Sequence, residues 1–300
     1  MEKLKVYYGW AKLENVRMRE SLRKKIEYSI NLLQRAERMA LRLDPENGFW
    51  LAFSGGKDSQ ALYHVAKLAG VKFKAHMNLT SVDPPEVIRF VKEHYPEVEL
   101  IKPKMSIYDM AKRKHILPTM WFRWCCAEYK EISGAGKVTL IGVRKQESAR
   151  RAKRNEVELA NHKFSGNFDQ WSEHEEKMVA CVGGKDKILV SPIIYWTERD
   201  VWEFLNENGI PHCKLYDEGY TRIGCILCPM SNYKSKIRDM KRYPHAKRSW
   251  IKTIQWMIDN GYLNRNFKDA ETGFKWWISG KSFDKFYADE VLQKKIDFDF

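Results

Sequence analysis

The stretch FWLAFSGGKDSQALYHVAKLAG, residues 49–70, runs from an apolar segment through a glycine-rich turn into an amphipathic segment. This pattern predicts a buried strand, FWLAF, followed by a helix from Gln60 to Lys67. In the turn between them, Gly55 and Gly56 allow backbone N–H groups to approach an anion, and the helix directs the positive end of its dipole at the same point. From these residues alone, a plain strand-to-helix turn and a phosphate cradle both remain open.

The side chains of the turn SGGKDS, residues 54–59, combine hydrogen-bond donors, a cation and a carboxylate. Ser54 and Ser59 offer hydroxyl groups and Lys57 offers a positive charge, all of which suit phosphate oxygens. Asp58 repels phosphate, so it indicates either a helix cap or a carboxylate that Mg²⁺ bridges to the phosphates. The residue order differs from the Walker pattern G-x-x-x-x-G-K-[ST], and a Walker mechanism therefore does not follow.

Apolar and amphipathic segments alternate along the chain, and this alternation predicts an α/β fold with a doubly wound, mostly parallel sheet. The expected strands lie within residues 49–53, 72–79, 98–103, 137–144 and 187–196. The expected helices lie within 14–43, with a buried stripe of Ile26, Ile30, Leu33 and Ala36, and within 60–67, 83–94 and 197–209, the last capped by Thr197 and closed by Gly209. Ligands of such sheets bind beyond the carboxyl ends of the strands, which is where residues 54–59, 80–85 and 142–151 fall.

The organisation of the chain suggests three parts. Residues 1–47 are expected to form an N-terminal helical segment, and residues 48–230 a nucleotide-binding domain that includes a cysteine site. Residues 231–300 are expected to form a C-terminal helical region that is basic and rich in tryptophan. Its tryptophans recur at helical spacing, which favours a place in the core over stacking on bases.

The net charge of +14 over 300 residues suits an anionic partner such as a nucleic acid or a nucleotide, but it also suits a plain solvated surface. The sequence has no apolar run of membrane-spanning length and no signal-peptide core near Met1, so a cytoplasmic protein without a membrane partner is expected. In the basic run of residues 144–154, Arg144 is expected to bind phosphate or sulfate, whereas Arg154 is expected to lie on an exposed helix face.

Four of the six cysteines form two pairs, Cys125 with Cys126 and Cys225 with Cys228. A C-x-x-C turn lets two thiolates converge on one metal or cluster. Adjacent cysteines point in different directions unless the backbone is special, which favours a [4Fe–4S] cluster over zinc and leaves redox or structural thiols as a third possibility. Cys181 and Cys213 are expected to be small buried side chains.

Several segments resemble known families when they are taken together in order. SGGKDS resembles the PP-loop of the ATP pyrophosphatase (adenine nucleotide α-hydrolase-like) superfamily, whose members cleave ATP between the α- and β-phosphates. The CC…K segment and LYDEGYTRIGCILCP (215–229) resemble the cluster signature of adenylylsulfate reductases in the phosphoadenylylsulfate (PAPS) reductase family. SPIIYWTERDVWEFLNENGIPHCKLY (191–216) and GVRKQESARR (142–151) resemble two further segments of that family.

This resemblance implies an adenine nucleotide ligand, with Mg²⁺ if the nucleotide is ATP, and Lys57 and Asp58 as catalytic residues. It also implies a [4Fe–4S] cluster, or zinc as the alternative, on Cys125, Cys126, Cys225 and Cys228. The implied nucleotide-binding residues are Ser54, Gly55, Gly56, Lys57, Asp58, Ser59, Thr80, Gly142, Arg144, Glu147, Ser148 and Arg151.

Two departures from the reductases favour ATP over a sulfonucleotide. The loop SGGKDS is intact, whereas dedicated reductases often have a degraded PP-loop, and no cysteine follows Cys228 where reductases carry a nucleophilic E-C-G-L-H tail. The combination resembles PAPS-reductase-like proteins of phages and mobile elements and the DNA-phosphorothioation ATP pyrophosphatases. It implies ATP-dependent sulfur chemistry with a sulfur-donor or thiol partner and, as an alternative, a reductase that uses Cys213 or a partner's thiol. A nucleotide- and nucleic-acid-binding module with a structural metal is the non-enzymatic alternative.

Overall fold

The computed structural model describes residues 18–160, 165–166, 186–263 and 266–289. The chain forms two compact units. Unit 1 comprises the described residues within 1–78, 85–101 and 132–223, and unit 2 comprises those within 79–84, 102–131 and 224–300. Cys181 lies outside the described residues, as does the start of the helix predicted over 14–43.

The helices, in chain order, are α1 (Glu20–Leu43), α2 (Lys57–Ala69), α3 (Pro85–His94), α4 (Ile107–Lys114), α5 (Trp124–Cys126), α6 (Ala149–Ala152), α7 (Glu198–Glu207), α8 (Tyr233–Arg242), α9 (Pro244–Asp259) and α10 (Ala270–Ser279). A π-helical turn (Ala127–Glu131) continues α5, and a 3₁₀ turn (Lys145–Glu147) precedes α6. The strands are β1 (Phe49–Ala52), β2 (Phe73–Asn78), β3 (Glu99–Ile101), β4 (Val138–Leu140), β5 (Val157–Leu159), β6 (Ser165–Gly166) and β7 (Ile188–Val190).

Unit 1 is built on a seven-stranded sheet with the order β3-β2-β1-β4-β7-β5-β6. Strands β3, β2, β1, β4 and β7 pair in parallel with their neighbours in the sheet. Strand β5 pairs antiparallel with both β7 and β6. Phe49 and Leu51 of β1 and Val138 and Leu140 of β4 are fully buried, so the centre of the sheet is the core of the unit. The predicted doubly wound, mostly parallel sheet is confirmed.

The helices of unit 1 follow the apolar pattern of the sequence. Ile26, Ile30, Leu33 and Ala36 of α1 are all buried, as predicted. Thr197 caps α7 by accepting a hydrogen bond from the Asp200 N–H, which confirms the predicted cap. The helix after β1 begins at Lys57 rather than at Gln60, because the first turn of a helix can hold polar residues whose N–H groups lack intrahelical partners.

Unit 2 has a helical core in which α4, α9 and α10 pack together. Trp250 and Trp277 are both buried, and their ring centroids lie 4.5 Å apart. Trp256 and Trp276 are partly buried against the same core. The expectation that these tryptophans belong to the core is therefore confirmed. Among the described residues, no helix is both long and apolar enough to cross a bilayer.

Candidate functional site

The backbone of the turn between β1 and α2 requires glycine. Gly55 has φ +70°, and a β-carbon there would lie 2.8 Å from Val87 Cγ1 and 2.9 Å from Val91 Cγ2 of α3. Ser59 ties the turn together, since its hydroxyl accepts from the Ser54 N–H at 3.2 Å and donates to the Gly56 carbonyl at 2.8 Å. The result is a short rigid connection that ends at the amino terminus of α2, where backbone N–H groups and the helix dipole favour an anion.

Two buried cations lie beside this helix terminus, and Asp58 holds both of them. Arg144 is 4% exposed and its Nε donates to Asp58 Oδ1 at 2.6 Å. Lys57 is also 4% exposed, and its Nζ lies 3.4 Å from Asp58 Oδ2. The carboxylate therefore serves as a counter-ion that aligns two positive side chains, an explanation for Asp58 that the sequence did not suggest.

The segment after β4 is brought to the same place by a close backbone approach. A β-carbon on Gly142 would lie 3.0 Å from the Asp58 carbonyl oxygen, so only glycine lets this segment touch the first turn of α2. The carboxylate of Glu147 accepts from the Arg144 N–H at 2.8 Å and forms an ion pair with Arg151. The Ser148 hydroxyl caps α6 by accepting from the Arg151 N–H at 3.2 Å.

The structure thus brings together most of the predicted nucleotide-binding residues in unit 1. Arg154, which was expected to be an ordinary surface residue, pairs with Glu158. Thr80 is a member of unit 2, where it is 2% exposed and its Oγ1 lies 3.4 Å from Cys225 Sγ. Cys213 is 1% exposed, which confirms its expected burial.

Two residues at the loop were not identified from the sequence. The hydroxyl of Tyr216 accepts a hydrogen bond from the Lys57 N–H at 2.9 Å, and its ring packs edge-on against Trp202 with centroids 5.0 Å apart. Glu198 Oε1 lies 3.4 Å from Lys57 Nζ. Tyr216 and Glu198 belong to segments whose resemblance was noted, but only the fold shows which of their side chains reach the loop.

The Cys125–Cys126 pair lies where an α-helix changes into a π-helical turn. Both residues end the short helix α5, which passes directly into the π-helical turn. An Arg123 nitrogen donates to Cys126 Sγ at 3.3 Å. A hydrogen bond from Cys125, together with this guanidinium, lowers the pKa of Cys126 to about 5, whereas the same hydrogen bond and burial raise the pKa of Cys125. The guanidinium of Arg123 therefore favours the thiolate form of Cys126.

The Cys225–Cys228 turn is held by buried hydrogen bonds. Ile226 N–H donates to the Val82 carbonyl at 2.7 Å, and Leu227 N–H donates to Asp239 Oδ2 at 2.9 Å. Leu227 has φ +55°, a left-handed conformation that Asp239 thus helps to maintain. Burial raises the pKa of Cys228, and the negative charge of Cys225 is the main cause that raises the pKa of Lys130.

All four cysteines lie in unit 2 and interact with one another. The charges of Cys225 and Cys228 contribute to raising the pKa of Cys125. Over the part of the chain that the structure describes, no three His, Cys, Asp or Glu side chains converge as ligands of a single metal ion. In tetrahedral zinc sites, thiolate sulfurs lie about 2.3 Å from the metal and hence close to each other. Within the described residues, the four thiols therefore do not form a preassembled site for a single ion.

Comparisons with known proteins identify the family of the chain. A sequence model of the phosphoadenosine phosphosulfate reductase domain matches residues 48–231. The adenosine 5'-phosphosulfate reductase of Staphylococcus haemolyticus is 27% identical over 161 residues, which cover 50% of this chain and 56% of that protein. The adenosine 5'-phosphosulfate reductase of Lysinibacillus sphaericus is 28% identical over 151 residues, covering 48% and 55% respectively. The chain thus spans about half the length of these curated relatives.

Among solved structures, the phosphoadenylyl-sulfate reductase of Candida auris in a phosphate complex is similar with a TM-score of 0.43 and 16% identity. This match covers 70% of the present chain and 97% of the Candida protein.

Proposed function

Because the chain belongs to the phosphoadenosine phosphosulfate reductase family, we propose that it is a PP-loop enzyme that binds ATP with Mg²⁺ and releases pyrophosphate in sulfur chemistry. The observation that carries this proposal is the intact loop at the start of α2, with Lys57 and Arg144 both buried and both held by Asp58. A sulfonucleotide has no β,γ-pyrophosphate, so two aligned cations at a helix terminus suit ATP better.

In the proposed reaction, an acceptor oxygen attacks the α-phosphorus, the bond from that phosphorus to the bridging oxygen of the β-phosphate breaks, and pyrophosphate leaves. Backbone N–H groups at the start of α2 and the Lys57 ammonium bind phosphate oxygens and offset the charge that grows on the leaving group. The Arg144 guanidinium binds further oxygens, and Glu147 keeps its backbone in place. The Asp58 carboxylate would hold Mg²⁺ bound with ATP, and this ion would neutralise phosphate charge.

We further propose that Cys125, Cys126, Cys225 and Cys228 hold a [4Fe–4S] cluster. The location of all four cysteines in unit 2 and the arginine that donates a hydrogen bond to Cys126 support this proposal. Such a cluster, with all four irons bound by cysteine, would supply electron transfer. Lys130 and Arg123 provide positive charge around the thiolates.

The test is pyrophosphate release from ATP and Mg²⁺ by protein purified without oxygen, assayed with iron, sulfide and zinc content. Asp58→Ala is expected to abolish release, because it removes the counter-ion of both cations and the proposed magnesium ligand. Asp217→Asn, a substitution of an exposed carboxylate in unit 1, is the matched control. Failure of the unaltered protein to bind ATP at millimolar concentration would overturn the proposal, and a colourless zinc protein would overturn the cluster.

A second candidate, a sulfonucleotide reductase, is favoured by the named activity of the Staphylococcus and Lysinibacillus relatives. It predicts sulfite release from adenylylsulfate or PAPS in the presence of a reduced thiol partner. The same purified protein can be assayed for both activities, so sulfite release without pyrophosphate release from ATP distinguishes this candidate.

A further inference from the structure

A basic and aromatic segment of unit 2 precedes the first cysteine pair and, apart from Arg123, which donates a hydrogen bond to Cys126, has no role in the proposed chemistry. Its sequence, KRKHILPTMWFR (112–123), contains four lysines and arginines and two large aromatic residues, and it contains no aspartate or glutamate. Lys112, Arg113 and Lys114 form the last turn of α4. The segment ends two residues before Cys125.

The fold holds this segment rigidly while leaving its aromatic rings in solvent. Leu117 and Trp124 are buried at 2% and 5% exposure, and the Pro118 carbonyl accepts a hydrogen bond from Trp277 Nε1 at 2.6 Å. Between these anchors, Thr119 and Phe122 close a tight turn, in which the Phe122 N–H donates to Thr119 Oγ1 at 3.0 Å. At the tip of the turn, Trp121 is 81% exposed.

Exposure of these rings needs an explanation, because burying them would be favourable. Phe122 is 51% exposed beside Trp121, although unit 2 buries its other tryptophans wholly or in part. Full burial of a large apolar side chain stabilises the folded state relative to leaving it in water. A pair of rings held outward by an anchored turn is therefore suited to contact with a partner.

We propose that this basic–aromatic segment binds single-stranded nucleic acid, with bases stacking on Trp121 and Phe122 and a phosphate contacting Arg113. The neighbouring Lys112 and Lys114 form ion pairs with Asp109 and Glu128, which a bound phosphate would share. Aromatic platforms flanked by cations are the general solution for binding single strands, because every base has a π-face and every nucleotide a negative charge. The absence of acidic residues from 112–123 and the net charge of +14 both favour a polyanion over a neutral or basic partner. Ile116 and Met120, each 41% exposed, widen the apolar surface beside the rings, so binding to a membrane surface is an outcome that the test includes.

The test measures anisotropy of labelled 16-nucleotide DNA and RNA of mixed sequence with the full chain, over a series of salt concentrations. Trp121→Ala is expected to weaken binding by about tenfold with little change in the salt slope, since each stacked base contributes roughly 1–3 kcal/mol. Trp121→Phe should restore most of the affinity. Arg113→Gln should instead reduce the salt slope by about 0.7, the amount expected for one lost phosphate contact.

Ile132→Ala is the matched control, because Ile132 is a 66% exposed apolar residue of unit 1 and its loss should leave binding unchanged. Comparison of the affinities for the DNA and the RNA oligonucleotides shows whether the segment prefers deoxyribose or ribose. Equal binding by the Trp121→Ala variant would overturn the proposal and leave only diffuse electrostatic attraction. Trp121-dependent binding to anionic vesicles, or Trp121-dependent self-association, without an effect on oligonucleotide affinity would overturn it in favour of those partners.

Discussion

The hydroxyl of Tyr216 is hydrogen-bonded to the backbone at the point where the proposed nucleotide phosphates bind. It accepts from the Lys57 N–H, so its own hydrogen is left to be donated to a phosphate oxygen. Burial raises the pKa of Tyr216, so the phenol stays protonated and able to donate at neutral pH.

Tyr216→Phe is therefore expected to weaken ATP binding by about five- to tenfold, since one neutral hydrogen bond contributes roughly 1 kcal/mol. Isothermal titration with ATP and Mg²⁺ measures the effect. Tyr63→Phe is the control, because Tyr63 bonds Glu97 and lies in the middle of α2 away from the loop. Tighter ATP binding by the Tyr216 variant would show that the hydroxyl only blocks the site.

At Gly142 the constraint is the lack of a side chain. Gly142→Ala places a methyl group against the backbone of Asp58, which cannot move without shifting the start of α2. Overpacking of this kind costs about 1–3 kcal/mol, so we expect a lower melting temperature together with weaker nucleotide binding. Gly224→Ala is the matched control, because no atom lies within 4 Å of a β-carbon placed there. Equal melting temperatures for the two variants, measured by circular dichroism, would contradict the prediction.

At the scale of single elements, the start of α7 is held by a buried carboxylate. Asp200 is 1% exposed and accepts hydrogen bonds from Arg19 and Lys25, each at 2.6 Å. Burial raises the pKa of Asp200, but the hydrogen bonds from Lys25 and Thr197 outweigh this and lower it to about 2. A carboxyl whose pKa is lower in the folded state stabilises the fold above its unfolded pKa near 4, and the stabilisation is lost as the pH falls from about 4 toward about 2.

Asp200→Asn is expected to reduce the free energy of unfolding at pH 7 by about 2 kcal/mol and to flatten its dependence on pH below about 4. Urea denaturation at pH 7, 4 and 3 checks both effects. Asp217→Asn, at a carboxylate whose side chain is 66% exposed, is the control. If the free energy of unfolding of the Asp200 variant depends on pH as in the unaltered protein, other carboxylates account for the acid sensitivity.

The Cys225–Cys228 turn offers a test of backbone strain against burial. Leu227 is 1% exposed, so Leu227→Ala should cost about 2–5 kcal/mol through loss of buried contacts. Its φ of +55° is strained for alanine but not for glycine. We therefore expect Leu227→Gly to be more stable than Leu227→Ala by about 1 kcal/mol, the reverse of the usual order. Thermal denaturation of the two variants decides the sign, and a less stable glycine variant would show that the turn relaxes.

The elements that the sequence predicted and those it missed differ in physical origin. The strands of the parallel sheet and the helices α1, α3 and α7 carry strong apolar periodicity or a clear cap, and both signals are local. The antiparallel strand β5 is three residues long and pairs with β7 through contacts far apart in sequence. The π-helical turn after Cys126 and the counter-ion role of Asp58 likewise depend on tertiary partners, so neither could be identified from spacing alone.

At the scale of the whole molecule, the chain has two cores of different kinds. Unit 1 surrounds a mostly parallel sheet, whereas unit 2 packs helices around tryptophans and contains all four cysteines of the proposed cluster site. The domain boundaries expected from the sequence, after residues 47 and 230, stay a prediction. Each compact unit is built from three separate stretches of the chain. Because each unit has its own core and its own proposed ligand, we expect each ligand to stabilise one unit.

Calorimetry of the protein with its cluster, prepared without oxygen, should accordingly show two transitions. ATP with Mg²⁺ at a hundredfold excess over the dissociation constant should stabilise unit 1 by about 2.7 kcal/mol, whereas cluster loss should lower only the unit 2 transition. Cys228→Ser should reduce iron content and the unit 2 transition together. Cys213→Ser should leave iron content unchanged, because Cys213 is buried in unit 1. A single transition that responds equally to ATP and to cluster loss would mean that the two cores unfold as one.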